Sequence, residues 1–199
     1  MRKITTEEFY TMIESDPSVF EHWNTPLEIT QYVDCENSEI THLSKHLTFT
    51  GRNSIGNVAC FLNCPDLKTA CGTFQGFVSF RNSGVEKIEN LHITQPNIAG
   101  RSVNFWNCKS LQIATGTYPG FASFRDSGIH TIHNLQIQNP NQNGYYADFN
   151  NCPNLHTLEG WNITKGIMIE PEKHDAEINR RDSLKTFVGQ SQPQPLPFL

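Results

Sequence analysis

The sequence predicts a mainly β repeat solenoid of about seven coils with an N-terminal helical cap. Three observations carry this. Residues 70–97, ACGTFQGFVSFRNSGVEKIENLHITQPN, align without gaps on residues 114–141, ATGTYPGFASFRDSGIHTIHNLQIQNPN, an offset of 44. Cys64, Cys108 and Cys152 are also 44 apart, a regularity that repeats require and metal sites do not. Finally, a seven-residue pattern recurs as VACFLNC (58–64), FVSFRNS (77–83), SVNFWNC (102–108), FASFRDS (121–127) and YADFNNC (146–152). Its central aromatics, Phe61, Phe80, Phe105, Phe124 and Phe149, are spaced 19, 25, 19 and 25 apart. YVDCENS (32–38) is an earlier copy with Cys35 in the Phe slot, and KGIMIEP (165–171) a degraded last one. Units this short cannot bury their own apolar face, so stacked coils must share one core.

Within each copy the alternation has period 2, that of a strand. In SVNFWNC, Val103 and Phe105 point inward while Asn104 and Trp106 point outward. The slot filled by Ser83, Cys108, Ser127 and Cys152 is small and weakly polar, as expected where the chain leaves the strand and backbone groups need a partner. Leu67, Leu111 and Leu155 then return to the core. A second apolar set follows in the long coils: Val85, Ile88, Leu91 and Ile93, and again Ile129, Ile132, Leu135 and Ile137. Gly72, Gly116 and Gly160 recur at one phase and read as turns, as do Pro96-Asn97 and Pro140-Asn141. The Asn column before the Cys/Ser slot (Asn63, Asn82, Asn107, Asp126, Asn151) reads as a structural ladder.

Ahead of the repeat, Thr5 and Glu8 form a capping box, Phe9, Met12 and Ile13 share a helical face, and Asp16-Pro17 stops the helix. The expected organisation is a helical cap over 1–31, a solenoid over 32–170 and a tail over 171–199. In the tail, 173–188 is expected to be a polar amphipathic helix and QSQPQPLPFL to be disordered.

Composition agrees. Apolar residues are 37% and charged residues 18%, too few Ala, Glu, Lys and Leu for a helical bundle. The 19 Asn and 13 Phe are the residues a stacked core and its turns consume. Net charge is −5; residues 1–40 hold 9 acidic and 2 basic side chains, and residues 41–160 hold 6 and 8. The acidic start reads as a solvated cap. The middle lacks the dense basic stripe of duplex binding, so nucleic acid is not expected as a partner. No run approaches 18 apolar residues and the start is not a signal peptide. The expected location is cytoplasmic, or exported without a classical signal, with no membrane contact. Disulfides are then not expected.

Val103-x-Phe105-x-x-Cys108-x-x-Leu111 resembles the core of cysteine-type leucine-rich repeats, and GNVACFLNCPDL and GRSVNFWNCKSL are similar to the repeats of BspA-like bacterial proteins. The resemblance covers about 32–160. It departs where Phe replaces the inner Leu, where Gly or polar residues take the preceding Leu position, and in the 19/25 alternation. Few segments between strands look helical, so extended or turn-like backs are expected, leaving LRR-like and β-helix-like solenoids both open. VNFWN, ADFNN and ASFRD also resemble units of pentapeptide-repeat proteins, without the five-residue recurrence. The resemblance implies a protein-binding module, such as a bacterial effector or a phage-type inhibitor.

The outward positions form two ladders, Leu62, Arg81, Trp106, Arg125, Asn150 and Cys60, Ser79, Asn104, Ser123, Asp148. A Trp between two Arg is the strongest binding signal, because these residue types dominate hot spots. The expected protein-binding ladder is Leu62, Arg81, Asn104, Trp106, Arg125, Asp148 and Asn150. The competing reading is a cation–π stack that only covers the sheet. No catalytic residue, metal or cofactor is expected. His92, His130, His133 and His156 read as polar outward positions rather than zinc ligands. Asn162-Ile163-Thr164 reads as an incidental sequon, and Arg180-Arg181-Asp182-Ser183-Leu184 as a solvated tail rather than a kinase site. The alternatives are a short parallel β-helix enzyme on carbohydrate, using Asp126 and Asp148 as its acid pair, and a pentapeptide-like nucleic-acid mimic.

Overall fold

The structure, a computed structural model, describes residues 1–160 and 167–168. The sequon, the Arg180–Leu184 motif, the 173–188 segment and the final residues lie outside them. Along the chain run β1 (Arg2–Ile4), helix α1 (Thr6–Ser15), β2 (Leu27–Ile29), β3 (Val33–Asp34), β4 (Leu47–Phe49) and β5 (Asn57–Cys60). Then come β6 (Thr69–Phe74), β7 (Phe77–Ser79), β8 (Lys87–Ile93), β9 (Arg101–Asn104) and β10 (Ile113–Tyr118). The last are β11 (Phe121–Ser123), β12 (Thr131–Ile137), β13 (Ala147–Asp148), β14 (Thr157–Glu159) and β15 (Ile167–Met168).

From β3 onward, successive strands alternate between two faces. One is a seven-stranded sheet in the order β15-β13-β11-β9-β7-β5-β3. The other is split into β1-β2-β4-β6-β8 and β10-β12-β14. Every pairing among the described residues is parallel. The chain is therefore mainly β, with a repeat-like arrangement compatible with a solenoid. Each of the seven recurring segments supplies one strand of the seven-stranded sheet. The backs are strands rather than helices. Upstream of residue 32, β1 and β2 already pair into the second face.

The core between the faces is built on Phe. Phe61, Phe80, Phe105, Phe124 and Phe149 are 0–1% exposed and stack with centroids 5.5, 5.2, 5.5 and 5.1 Å apart. Cys35 heads the column and is buried. On the second face Phe49 and Phe74 stack at 4.5 Å, and edge contacts Phe49–Phe61 and Phe74–Phe80 join the two columns. Parallel in-register strands repeat about every 4.8 Å, which brings identical rings into offset stacking once per coil.

The Cys/Ser slot does what its position requires. Ser83 Oγ donates to the Phe80 carbonyl at 2.6 Å, and Cys108 Sγ, one coil on, donates to the same oxygen at 3.0 Å. Ser127 and Cys152 share the Phe124 carbonyl in the same way. All six cysteines are free. Burial pushes the Cys108 thiol up to about 11, against hydrogen bonds from Ser83. Its neutral form therefore contributes stability that is complete below pH 9.0, the unfolded value, and lost as pH rises to about 11. Cys108→Ser is expected to cost about 1 kcal/mol at neutral pH and to flatten the alkaline fall in urea midpoint. An unchanged alkaline slope would contradict this.

The Asn column is a hydrogen-bonded ladder. Asn37, Asn63, Asn82, Asn107, Asp126 and Asn151 all have φ between 54 and 60°, a left-handed conformation that Asn and Asp tolerate best after Gly. Asn63 Nδ2 donates to Asn37, Asn82 to Asn63 and Asn107 to Asn82, at 3.1, 2.9 and 3.0 Å.

The 19/25 alternation arises mostly at one corner. Gln75–Gly76 and Pro119–Gly120 turn the short coils, whereas 94–100 and 138–146 turn the long ones. The long corners are built on Asn97 and Asn141, whose Oδ1 atoms each accept two backbone N–H groups. Asn53 does the same in an earlier copy. Gly72 and Gly116 are not turns, as expected above, but lie inside β6 and β10 with φ of 106 and 117°. There the register slips by one residue, the extra residue lying on β8 and β12, where Asn90 and Asn134 have φ of 50°; Gly72 and Gly116 beside it take a positive φ that only Gly adopts freely.

Helix α1 has the capping box, with Thr5 and Glu8 bonding each other's backbone N–H, and buries Phe9 and Ile13. It lies against the outer edge of β3: Thr6 Oγ1 donates to the Tyr32 carbonyl and the Asp34 N–H donates to Tyr10 Oη.

Candidate functional site

On the outer surface of the seven-stranded sheet, the turn after each strand presents the ladder residues. Asn104 Oδ1 accepts the Trp106 N–H at 2.9 Å, so the second ladder fixes the backbone that carries the first. Ser79 and Asp148 do the same for Arg81 and Asn150. These side chains terminate their strands as side-chain-capped turns.

Trp106 is the centre of the first ladder and is half-buried. The Arg81 guanidinium carbon lies 4.0 Å from its ring centroid and that of Arg125 lies 5.5 Å away. Since β9 lies between β7 and β11, the two cations reach the ring from the strands on either side of it. The indole Nε1–H donates to Asp126 Oδ2 at 2.7 Å. Each Arg Nε is buried without a hydrogen-bond partner; that of Arg125 is 3.4 Å from Asp126 Oδ2, a charge contact without hydrogen-bond alignment. The cation–π stack is thus present, and the outer edges of the indole and guanidinium groups remain open to solvent.

Asp126 is the one acid in the Asn column. A carboxylate cannot donate onward as an amide does, so the column's amide relay changes character at this coil. Burial alone would raise its carboxyl. Hydrogen bonds from Asn151 and Trp106, then the charges of Arg125 and Lys109, outweigh that and hold it below the usual carboxylate range. Lys109 Nζ donates to the Asp126 carbonyl. Two cations, Lys109 and Arg125, therefore act on this carboxylate, and a third, Arg81, lies over the indole that bonds it.

The structure brings Arg81, Trp106 and Arg125 together, with Asn104 beneath Trp106 and Leu62 half-buried one coil from Arg81. It does not present the far end of the expected ladder. Asp148 and Asn150 are 6% and 9% exposed, and β15 pairs alongside with Asp148 opposite Met168. Asp126 accepts the Trp106 indole N–H from the neighbouring strand's turn, while Asp148 accepts the Asn150 N–H of its own turn.

The histidines separate. His130 and His156 stack at 5.5 Å, each with Nδ1 at a Thr hydroxyl, while His133 meets Glu159 at 3.3 Å. Among the described residues no group of three or more His, Cys, Asp or Glu side chains could hold a metal ion. No described helix is long and apolar enough to cross a membrane. The sequence reading missed an open groove of about 360 Å³ between α1 and β3, lined by Tyr10, Ile13, Glu14, Asp34, Glu36 and Glu39. Its only signal was the acidic bias of the first 40 residues.

No family model matches the sequence, no curated protein matches it, and no solved structure matches it.

Proposed function

We propose that the chain is a solenoid of about seven coils, closed at its start by α1, that binds another protein through the Trp106 region of its ladder face and catalyses no reaction. The observation that carries this is the Arg81–Trp106–Arg125 stack. It concentrates three hot-spot side chains on the outward face of a rigid sheet, with two guanidinium groups only partly satisfied. Pure surface cover would not need that charge. Elsewhere the same ladder position holds Leu62 and Asn150, and the sheet stacks there without cations. The non-enzymatic reading is supported by the two candidate acids being engaged, Asp126 by the Trp106 indole and Arg125, and Asp148 by its own turn.

Capture from lysate with the wild type and with Trp106→Ala/Arg125→Ala tests the proposal. Each hot-spot truncation is expected to cost about 2 kcal/mol or more, together over 100-fold in affinity, with strand content intact by circular dichroism. Undiminished capture by a folded double variant would sink the ladder-face assignment. Hydrolysis of a glycan, abolished by Asp148→Asn, would overturn the non-enzymatic reading.

A further inference from the structure

We infer that the partner segment recognised at Trp106 is acidic and extended, presenting carboxylates about 9 to 10 Å apart to Arg81 and Arg125. The inference rests on the ladder-face reading and specifies what that face takes. Its basis is charge and spacing.

The carboxylate bonded to Trp106, Asp126, is held by the indole N–H and by Arg125. Among the described residues Arg81 forms no ion pair. Its guanidinium rests on the indole and its Nε is buried without a hydrogen-bond partner, while the residue as a whole is half-buried rather than enclosed. Arg81, Lys109 and Arg125 against Asp126 give the patch a local excess of two positive charges. A guanidinium fork bonds carboxylates bidentately, so the complement of this patch is an acidic ligand.

The spacing restricts the ligand further. Arg81 and Arg125 follow β7 and β11, two strand spacings apart, about 9 to 10 Å, and their guanidinium carbons, 4.0 and 5.5 Å from the one ring centroid, can stand no more than about 9.5 Å apart. The indole between them prevents their convergence on one anion. A polyproline II segment repeats its face every third residue, about 9.3 Å along its axis. A β-strand repeats every second residue, about 6.7 Å, which undershoots. An acid at every third position of an extended, Pro-containing segment fits both cations.

Nucleic acid fits less well. Base recognition by stacking needs a free aromatic face, and two guanidinium groups already lie against Trp106. Three cations, one of them already bonded to a backbone carbonyl, are few for a phosphate backbone.

The test is fluorescence anisotropy with a fluorescein-labelled peptide of five Glu-Pro-Pro repeats and its Gln-Pro-Pro counterpart, using the full chain. The Glu peptide is expected to bind at least tenfold more tightly than the Gln peptide. Arg81→Gln and Arg125→Gln should each weaken it at least tenfold, Arg81→Lys should restore part of the loss, and thermal midpoints should report that each variant is folded. Equal binding of both peptides, undiminished binding by folded Arg81→Gln, or preferential binding of oligothymidylate or phosphatidylserine vesicles would overturn the inference. Lysate capture that still depends on Trp106 and Arg125 while the Glu peptide fails to bind would reject the acidic ligand and leave the ladder-face proposal standing.

Discussion

Phe105→Ala is expected to lower the unfolding free energy by about 3–5 kcal/mol, the range for emptying a buried aromatic site. Phe105 is fully buried and stacks on Phe80 at 5.2 Å and Phe124 at 5.5 Å. Removing it cuts the column in the middle, so two ring contacts go with one side chain. The flanking backbone is fixed by ladder bonds on both sides, Phe80 N–H to the Asn104 carbonyl and Phe105 N–H to the Ser123 carbonyl. Collapse into the cavity is therefore resisted, which places the cost high in the range. Phe105→Leu keeps most of the volume and is expected to cost well under half as much. Urea unfolding followed by circular dichroism reads both. A Phe105→Ala loss below about 1 kcal/mol would mean that the rings are not a shared core, contrary to the expectation for stacked repeats.

Gly128→Ala is expected to be comparably severe for a different reason. A Cβ there would lie 2.1 Å from the Lys109 carbonyl oxygen of the preceding coil. At the equivalent position 44 residues earlier, a Cβ on Gly84 would lie 1.8 Å from the Pro65 carbonyl oxygen. Both obstacles are backbone, and the same backbone N–H donates across the coil boundary, Gly128 to Cys108 and Gly84 to Cys64. Relief would have to separate two coils. The cost should reach or exceed the about 1–3 kcal/mol typical of overpacking. Gly144→Ala provides the contrast: its φ is +82° but nothing lies within 4 Å of a new Cβ. Only backbone strain applies there, about 1–2 kcal/mol. Equal losses for the two variants would show that coil approach is not the constraint at Gly128.

Much of the architecture was legible because one coil position tolerates few solutions. A ring at each of Phe61, Phe80, Phe105, Phe124 and Phe149, followed by Cys or Ser and then an aliphatic residue, marks the same place on five strands, and the two weaker copies at 32–38 and 165–171 also each contain a strand. The second face was legible only as apolar residues such as Leu91 and Ile93, since its long strands alternate with exposed polar residues on one side. Strands β1 and β2 were not legible. Three residues carrying one or two apolar side chains give no period to read. Gly72 and Gly116, beside the bulges, were misread as turns because a positive φ in a strand and in a turn leave the same sequence mark. The long corners were legible as turns from Pro96-Asn97 and Pro140-Asn141; a further mark is that Asn53, Asn97 and Asn141 are each followed three residues later by Gly56, Gly100 and Gly144, all at positive φ.

At the site, the sequence named Trp106 and its two Arg neighbours because period 2 fixes which residues face outward. It could not foresee that Asp126 would accept the indole N–H. That bond runs between coils 20 residues apart and depends on the left-handed backbone at Asp126, which turns its carboxylate toward the preceding coil. The degraded copy at 165–171 did mark the strand that continues the sheet, but outward period-2 positions gave no sign that Asp148 and Asn150 are buried.

The claim that this stack is a recognition surface, and not merely cover for the sheet, is tested most directly by measuring partner capture and thermal midpoint together on Trp106→Ala/Arg125→Ala. An exposed cation–π contact is worth about 0.5–1 kcal/mol, so the account predicts a small drop in midpoint with loss of capture. Retained capture by the folded double variant would contradict it.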